Sequence, residues 1–324
     1  MTSLGKYRHL AQASTPAGHF VILAIDHRGN LRASLDRHAP APLTDAEFAA
    51  FKLEVIAQLG AACSAVLADP GFGLGPAIAR GALSGQQGFL APIEITNYDV
   101  PPDQRGVAFI PGWSVEKIKR AGGAGVKLLL FYHPAAPDAA AKREAVSRII
   151  EDCARWDIPF FLEPIVFSPD PARALTHDER RAAVVSNARE FSALGIDVLK
   201  TEFPLDVKQE PDEAVWRAAL DELNAACAVP WALLSAGVDY ATFERQAELA
   251  CAAGASGVIV GRAVWAEAAT LSGVARAEFL RTTGPQRMTR LAEIAARHAT
   301  DWRRKVAPPA HDPRWYEAYP GFGG

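Results

Sequence analysis

The chain has 324 residues, 49% of them hydrophobic and 22% charged, with a formal net charge of -3. This is enough to bury a large core, and it leaves no broad basic surface for nucleic acid and no like-charged run of polyelectrolyte length. No stretch approaches the roughly 18 consecutive apolar residues of a membrane helix, and the start from Met1 to Leu10 lacks the apolar core of a signal peptide, so a cytoplasmic protein is expected.

In chain order, β-rich runs alternate with longer helical patterns from Phe20 to Trp265. The predicted strands are Phe20 to Ile25, Ala65 to Ala68, Gly88 to Ile95, Gly125 to Phe131, Pro159 to Ile165, Ile196 to Glu202, Trp231 to Ser235 and Gly257 to Val260. Between them, Ala, Leu, Glu and Arg recur at a 3.6-residue period over Asp45 to Leu59, Asp138 to Arg155, His177 to Leu194, Glu213 to Ala226 and Tyr240 to Ala253. Thr44-Asp45, Asp138, and Thr176 with Glu179 three residues on are candidate caps. Eight strands with intervening helices over about 250 residues predict an α/β fold, a (β/α)8 TIM barrel. A doubly wound open sheet is the competitor, but it would need a Gly-rich loop after an early strand, and the first strand runs instead into Asp26-His-Arg-Gly-Asn30. The whole chain, 1–324, reads as one barrel domain with an N-terminal extension, a linker rich in Pro and Ala from His38 to Leu43, a C-terminal helix from about Gln286 to Lys305, and a tail. That tail, with Trp315, Tyr316, Tyr319 and Phe322, is too aromatic for a free linker and is expected to pack on the barrel or a neighbouring subunit, which makes a homo-oligomer the expected assembly.

Barrels of this kind place their chemistry at the carboxyl ends of the strands, and five of the predicted strands carry or end in titratable groups there. These are Asp26, His27 and Arg28, then Lys127, Glu163, Lys200 with Glu202, and Arg262. Alternation puts Asp26 and Arg28 on one face of their strand, and Lys200 and Glu202 on one face of theirs. Any one of these could be a rim ion pair; all of them collecting at one end is more than packing requires. Lys200 stands out because Ile196, Val198 and Leu199 flank it, and burial disfavours an ammonium ion, which makes it a candidate nucleophile. Lys127, between Val126 and Leu128, has equally apolar neighbours, and periodicity does not separate the two lysines.

The eight histidines include no HxH or HxxxH pair, and the four cysteines no CxxC spacing, so no metal or other cofactor is expected. Without a metal to polarise a carbonyl, a lysine Schiff base is the alternative electron sink. Leu234-Ser-Ala-Gly-Val238 after the seventh strand and Val260-Gly-Arg-Ala263 after the eighth hold small residues and an arginine where such barrels commonly bind phosphate, which nominates Ser235, Gly237, Gly261 and Arg262.

The chain resembles the class I tagatose-1,6-bisphosphate aldolases and the related sulfofructose-phosphate aldolases. The matching stretches are Ala24-Ile-Asp-His-Arg-Gly29, Asp69-Pro-Gly-Phe-Gly-Leu74, Asp157-Ile-Pro-Phe-Phe-Leu-Glu163, Gly195-Ile-Asp-Val-Leu-Lys200, Leu234-Ser-Ala-Gly-Val238 and Gly261-Arg-Ala263. The resemblance implies a Schiff-base lysine at Lys200, an acid/base carboxylate at Glu163, and sugar- or phosphate-binding groups at Asp26, Arg28, Lys127, Ser235 and Arg262. It departs at His27, where the family usually has Gln, and at Gly71, where it usually has Glu; both are expected near the mouth. The implied activity is cleavage of a ketose 1-phosphate or 1,6-bisphosphate, tagatose 1,6-bisphosphate first, to dihydroxyacetone phosphate and an aldehyde. The alternatives are a sulfosugar phosphate (6-deoxy-6-sulfofructose 1-phosphate), a deoxy-keto acid phosphate, or a non-catalytic sugar-phosphate sensor.

Overall fold

The computed structural model describes residues 2–317 and 319. Eight parallel strands close into a barrel: β1 (Phe20–Ile25), β2 (Ala65–Ala68), β3 (Gly88–Pro92), β4 (Gly125–Phe131), β5 (Phe160–Ile165), β6 (Val198–Thr201), β7 (Trp231–Leu234) and β8 (Gly257–Val260). Each strand pairs with its sequence neighbours, and closure is made by Phe20 to Leu23 of β1 running in register with Gly257 to Val260 of β8. The barrel expectation therefore holds in strand number, order and direction.

Period-two alternation splits the apolar residues into two cores. Phe20, Ile22 and Ala24 of β1, with Leu67, Leu90, Phe161, Val198, Ala232 and Ile259, fill the interior. Val21, Leu23, Val126, Leu128, Leu162, Leu199, Leu233 and Val258 point outward into the larger core beneath the helices. Each fully buried Leu, Ile or Phe among these contributes about 1.5–3 kcal/mol by removal from water. By the same parity Lys127, Glu163 and Lys200 project into the barrel, in step with Leu129, Phe161 and Val198.

The N-terminal extension is a helix, Leu4–Ala13, that plugs the end of the barrel opposite the site. Its Leu10 and Ala13 join the interior cluster with Trp302 and Val306, Lys6 pairs with Asp197 at 2.8 Å, and the Trp302 indole N–H donates to Ser14 Oγ at 3.0 Å. The aromatic tail returns to the same end. Tyr319 Oη accepts from the Gly5 N–H at 2.8 Å and donates to the Asp157 carboxylate, which ties the tail to its own chain at that residue, whereas Trp315 and Tyr316 are exposed and not packed as expected; Phe322 lies outside the described residues.

Several element ends shift by one or two residues, among them the sixth strand, which runs Val198–Thr201 rather than Ile196 to Glu202, and three departures matter more. The third strand stops at Pro92, because the Ile93 N–H still bonds to the Lys127 carbonyl but Glu94–Ile95 then peels away to pair antiparallel with Ala108–Phe109. The C-terminal helix spans Thr283–His298 rather than reaching Lys305; Ala299 turns extended, and a separate short turn, Trp302–Arg304, carries the plugging tryptophan. Asp138 makes no side-chain cap bond and instead pairs with Lys142 at 2.8 Å. The capping boxes at Thr44–Glu47 and Thr176–Glu179 are both formed, and a helix at Gly29–His38 precedes the Pro- and Ala-rich linker. Among the described residues no helix is long and apolar enough to cross a membrane.

Candidate active site

A cavity of about 200 Å³ opens at the carboxyl ends of the strands. Asp26, His27, Arg28, Lys127, Glu163, Lys200, Glu202, Ser235, Gly261 and Arg262 all line it. Gly237, exposed beside the lining Ala236, and the exposed Gly71 are not part of its lining.

At its floor lies a buried network of charge. Lys127 Nζ donates to Asp26 Oδ2 at 3.0 Å and to Glu94 Oε1 at 2.8 Å, and meets Glu163 Oε2 at 3.0 Å. Lys200 Nζ meets the same Glu163 oxygen at 2.9 Å, its one ion-pair partner among the described residues. The side chains of Lys127, Lys200, Glu94 and Glu163 are all less than one-tenth exposed. Burial alone would drive Lys127 toward the neutral amine, but Asp26, Glu163 and Glu94 outweigh it and hold its ammonium well above the usual lysine range. Burial likewise pushes Glu163 upward, but the adjacent Lys127, and after it Lys200, outweigh that and hold its carboxyl below its usual range. Asp26 is depressed for the same reason against the same burial penalty. Glu94 goes the other way: burial outweighs Lys127 and raises it.

Glu202 lines the wall with its carboxylate already engaged. Oε2 accepts from the Val166 N–H at 2.8 Å and Oε1 from Arg180 Nη2 at 3.0 Å, which ties the end of β6 to the end of β5 and to the helix His177–Leu194. Burial raises its pKa despite Arg180. His27 packs edge-on against Trp265, with ring centroids 5.1 Å apart, and Trp265 is fixed by its indole N–H to the Ala24 carbonyl at 2.9 Å. Burial lowers the His27 pKa to about 4 even with Asp26 opposing, so the imidazole is neutral near pH 7.

Across the mouth, the turn after β7 places Ala236 at φ 46° and Gly237 at φ 81°, two successive left-handed residues. A Cβ on Gly237 would approach the Arg262 guanidinium to 3.2 Å, and one on Gly261 would stand 2.9 Å from the Ala24 carbonyl. Both glycines thus keep backbone close to Arg262 and to β1. Arg262 is exposed and its side chain makes no hydrogen bond or ion pair with the described residues. Close-approaching small residues beside an unpaired guanidinium are features that suit an anion.

Sequence reasoning did not single out Glu94, Tyr98 or Trp265. Strand parity could have found Glu94, since Leu90, Pro92 and Glu94 share the inward face of one run. Trp265 follows Arg262 by one helical turn, a spacing with no chemical signature. Nor was the buried Lys52–Asp69 ion pair foreseen, although Asp69 heads one of the motif stretches. Among the described residues no group of three or more His, Cys, Asp and Glu side chains is arranged to hold a metal ion.

The sequence matches the model of the family described as DeoC/LacD family aldolase over residues 20–267, the whole barrel. The chain belongs to the DeoC/LacD aldolase family. It is therefore an aldehyde-lyase, a carbon–carbon bond-cleaving enzyme. It is 32% identical to tagatose 1,6-diphosphate aldolase 2 of Streptococcus mutans, over 93% of this chain and 98% of that one. The tagatose 1,6-diphosphate aldolase of Streptococcus pneumoniae is also 32% identical, over 92% of this chain and 97% of its own. Among solved structures, an archaeal fructose 1,6-bisphosphate aldolase shares the fold with a TM-score of 0.63 at 18% identity, over 90% of this chain and 98% of that one. A Schiff-base-forming fructose-1,6-bisphosphate aldolase shares it with a TM-score of 0.62 at 18% identity, over 90% of this chain and 99% of that one.

Proposed function

We propose that this aldolase cleaves tagatose 1,6-bisphosphate, or a closely similar ketose 1-phosphate, through a Schiff base on Lys200, without a metal or organic cofactor. The observation that carries the reading is the contrast between the two buried lysines. Lys127 is clamped by three carboxylates and stays cationic, whereas Lys200 has one carboxylate partner, and that partner is the ionised Glu163. A nucleophilic amine needs a base within reach and freedom to leave it. Lys200 has both.

The Lys200 amine adds to the C2 carbonyl, water departs, and the resulting iminium draws electrons from the C3–C4 bond. Glu163 takes the C4 hydroxyl proton as that bond breaks, so the aldehyde half leaves neutral and the electron pair comes to rest in an enamine. Return of a proton to C3 and addition of water release dihydroxyacetone phosphate and regenerate the lysine. Ser235, Gly237, Gly261 and Arg262 hold the C1 phosphate, which orients C2 toward Lys200 on the adjacent strand. Asp26, Arg28 and neutral His27 line the sugar's path as hydrogen-bonding groups. The names of the Streptococcus relatives support tagatose 1,6-bisphosphate over the sulfosugar and keto acid alternatives.

Incubation with tagatose 1,6-bisphosphate should release equal amounts of dihydroxyacetone phosphate and glyceraldehyde 3-phosphate, followed by chromatography of both products. A panel of ketose phosphates among which none yields dihydroxyacetone phosphate would overturn the reading.

A further inference from the structure

A second cavity, of about 220 Å³, adjoins the first and shares Glu94, Thr96, Leu129 and Phe131 with it as a common wall. Its remaining wall is Leu130 of β4 and the excursion after β3, which is pinned by the ladder between Glu94–Ile95 and Ala108–Phe109. Its one cationic lining group is Arg105. That side chain is half-buried: Nε donates to the Val100 carbonyl at 2.7 Å, Nη2 reaches the Tyr98 carbonyl at 3.3 Å, and the guanidinium lies 4.3 Å from the centroid of Phe131 and 5.1 Å from that of Tyr98. No carboxylate neutralises it among the described residues, and its Nη1 makes no hydrogen bond there. A guanidinium fixed by two carbonyls and two rings has its remaining donors already oriented, which suits it to a tetrahedral or planar anion.

Position decides which anion. In the barrel order β3 stands four strands from β7, across the mouth from the Ser235–Gly237 turn and Arg262. Lys127 of β4, Glu163 of β5 and Lys200 of β6 lie between the two anion-ready ends. A substrate with one phosphate at β7 and β8 and its C2 at Lys200 therefore runs its aldehyde half toward β3.

Resting on the aldolase reading above, we propose that the second cavity is the subsite for the aldehyde half of the substrate and that Arg105 binds its terminal anion. The excursion from residue 96 to residue 106 is then the element that selects an anionic over a neutral aldehyde. Tyr98, which lines the first cavity and stacks on Arg105, joins the two subsites.

The test runs the reaction in the synthetic direction, with dihydroxyacetone phosphate and either glyceraldehyde 3-phosphate or glyceraldehyde as acceptor. The wild-type enzyme should prefer the phosphorylated acceptor in kcat/KM. Arg105→Gln should lower that preference by about 10- to 100-fold, the range of one charge-assisted contact, through KM of the phosphorylated acceptor, and Arg105→Lys should recover part of it. No wild-type preference, or an equal loss with both acceptors in Arg105→Gln, would overturn the assignment and leave Arg105 a loop-bracing residue. Borohydride trapping of dihydroxyacetone phosphate alone needs no second anion. A failed trap on the wild-type enzyme refutes the parent chemistry and the subsite with it; a successful trap with an unchanged preference refutes the subsite only.

Discussion

Replacing Lys127 with Met keeps an unbranched chain of similar reach and removes the one cation shared by Asp26, Glu94 and Glu163. At N–O separations of 2.8–3.0 Å, each pair is worth about 6 kcal/mol gross at an effective dielectric near 20. Most of that is offset by burial, and loss of one partner from a buried ion network costs about 3–5 kcal/mol. With an unfolding entropy of about 2 cal/mol/K per residue, a chain of this length should lose roughly 4–7 °C in Tm. The sign with pH follows from the individual groups. The folded pKa of Lys127 is raised, so its contribution is complete below the ordinary lysine value of 10.5. The folded values of Asp26 and Glu163 are depressed, so their contribution is present above ordinary values of 3.8 and 4.5 and fades as pH falls through and below them. The gap between wild type and Lys127→Met should therefore be full near about pH 8 and narrower near about pH 4, where the stranded carboxylates take up protons. Paired thermal melts at the two values read this directly. A Tm loss of under about 1 °C, or the same loss at both pH values, would refute the network as the source of stability.

Glu163→Gln keeps the side-chain shape and removes the base; kcat for cleavage should fall by about 10²- to 10⁴-fold and the iminium with dihydroxyacetone phosphate should form more slowly, so retained steady-state turnover would count against Glu163. For His27, the folded pKa of about 4 lies below the ordinary 6.5, so its contribution is full above 6.5 and is lost as pH falls toward 4, by up to roughly 3 kcal/mol. His27→Asn should flatten the fall of Tm across that window, and melts in which the two proteins run parallel would show that His27 is not the group responsible.

The strands were legible because each carries the right length and alternation between turn signals; even the choice of interior residues follows from parity. The end of β3 was not. Gly88 to Ile95 is one hydrophobic run, and what breaks it is pairing with Ala108–Phe109, too far along the chain for local pattern to register. That same break turned Glu94 from an apparent strand residue into a partner of Lys127 and hid the excursion holding Arg105. The choice between Lys127 and Lys200 was also beyond the sequence, since both sit among Val and Leu. It depends on carboxylates from β1, β5 and the segment after β3 converging on one nitrogen, which only barrel closure produces. By contrast, Ser235, Gly237, Gly261 and Arg262 could be nominated from composition because an anion site built from backbone demands small residues.

The most direct test of the central claim is reduction with borohydride in the presence of dihydroxyacetone phosphate and EDTA, followed by peptide mass mapping. One adduct on the peptide carrying Lys200 is the predicted result. An adduct on the Lys127 peptide, or none at all, would contradict it.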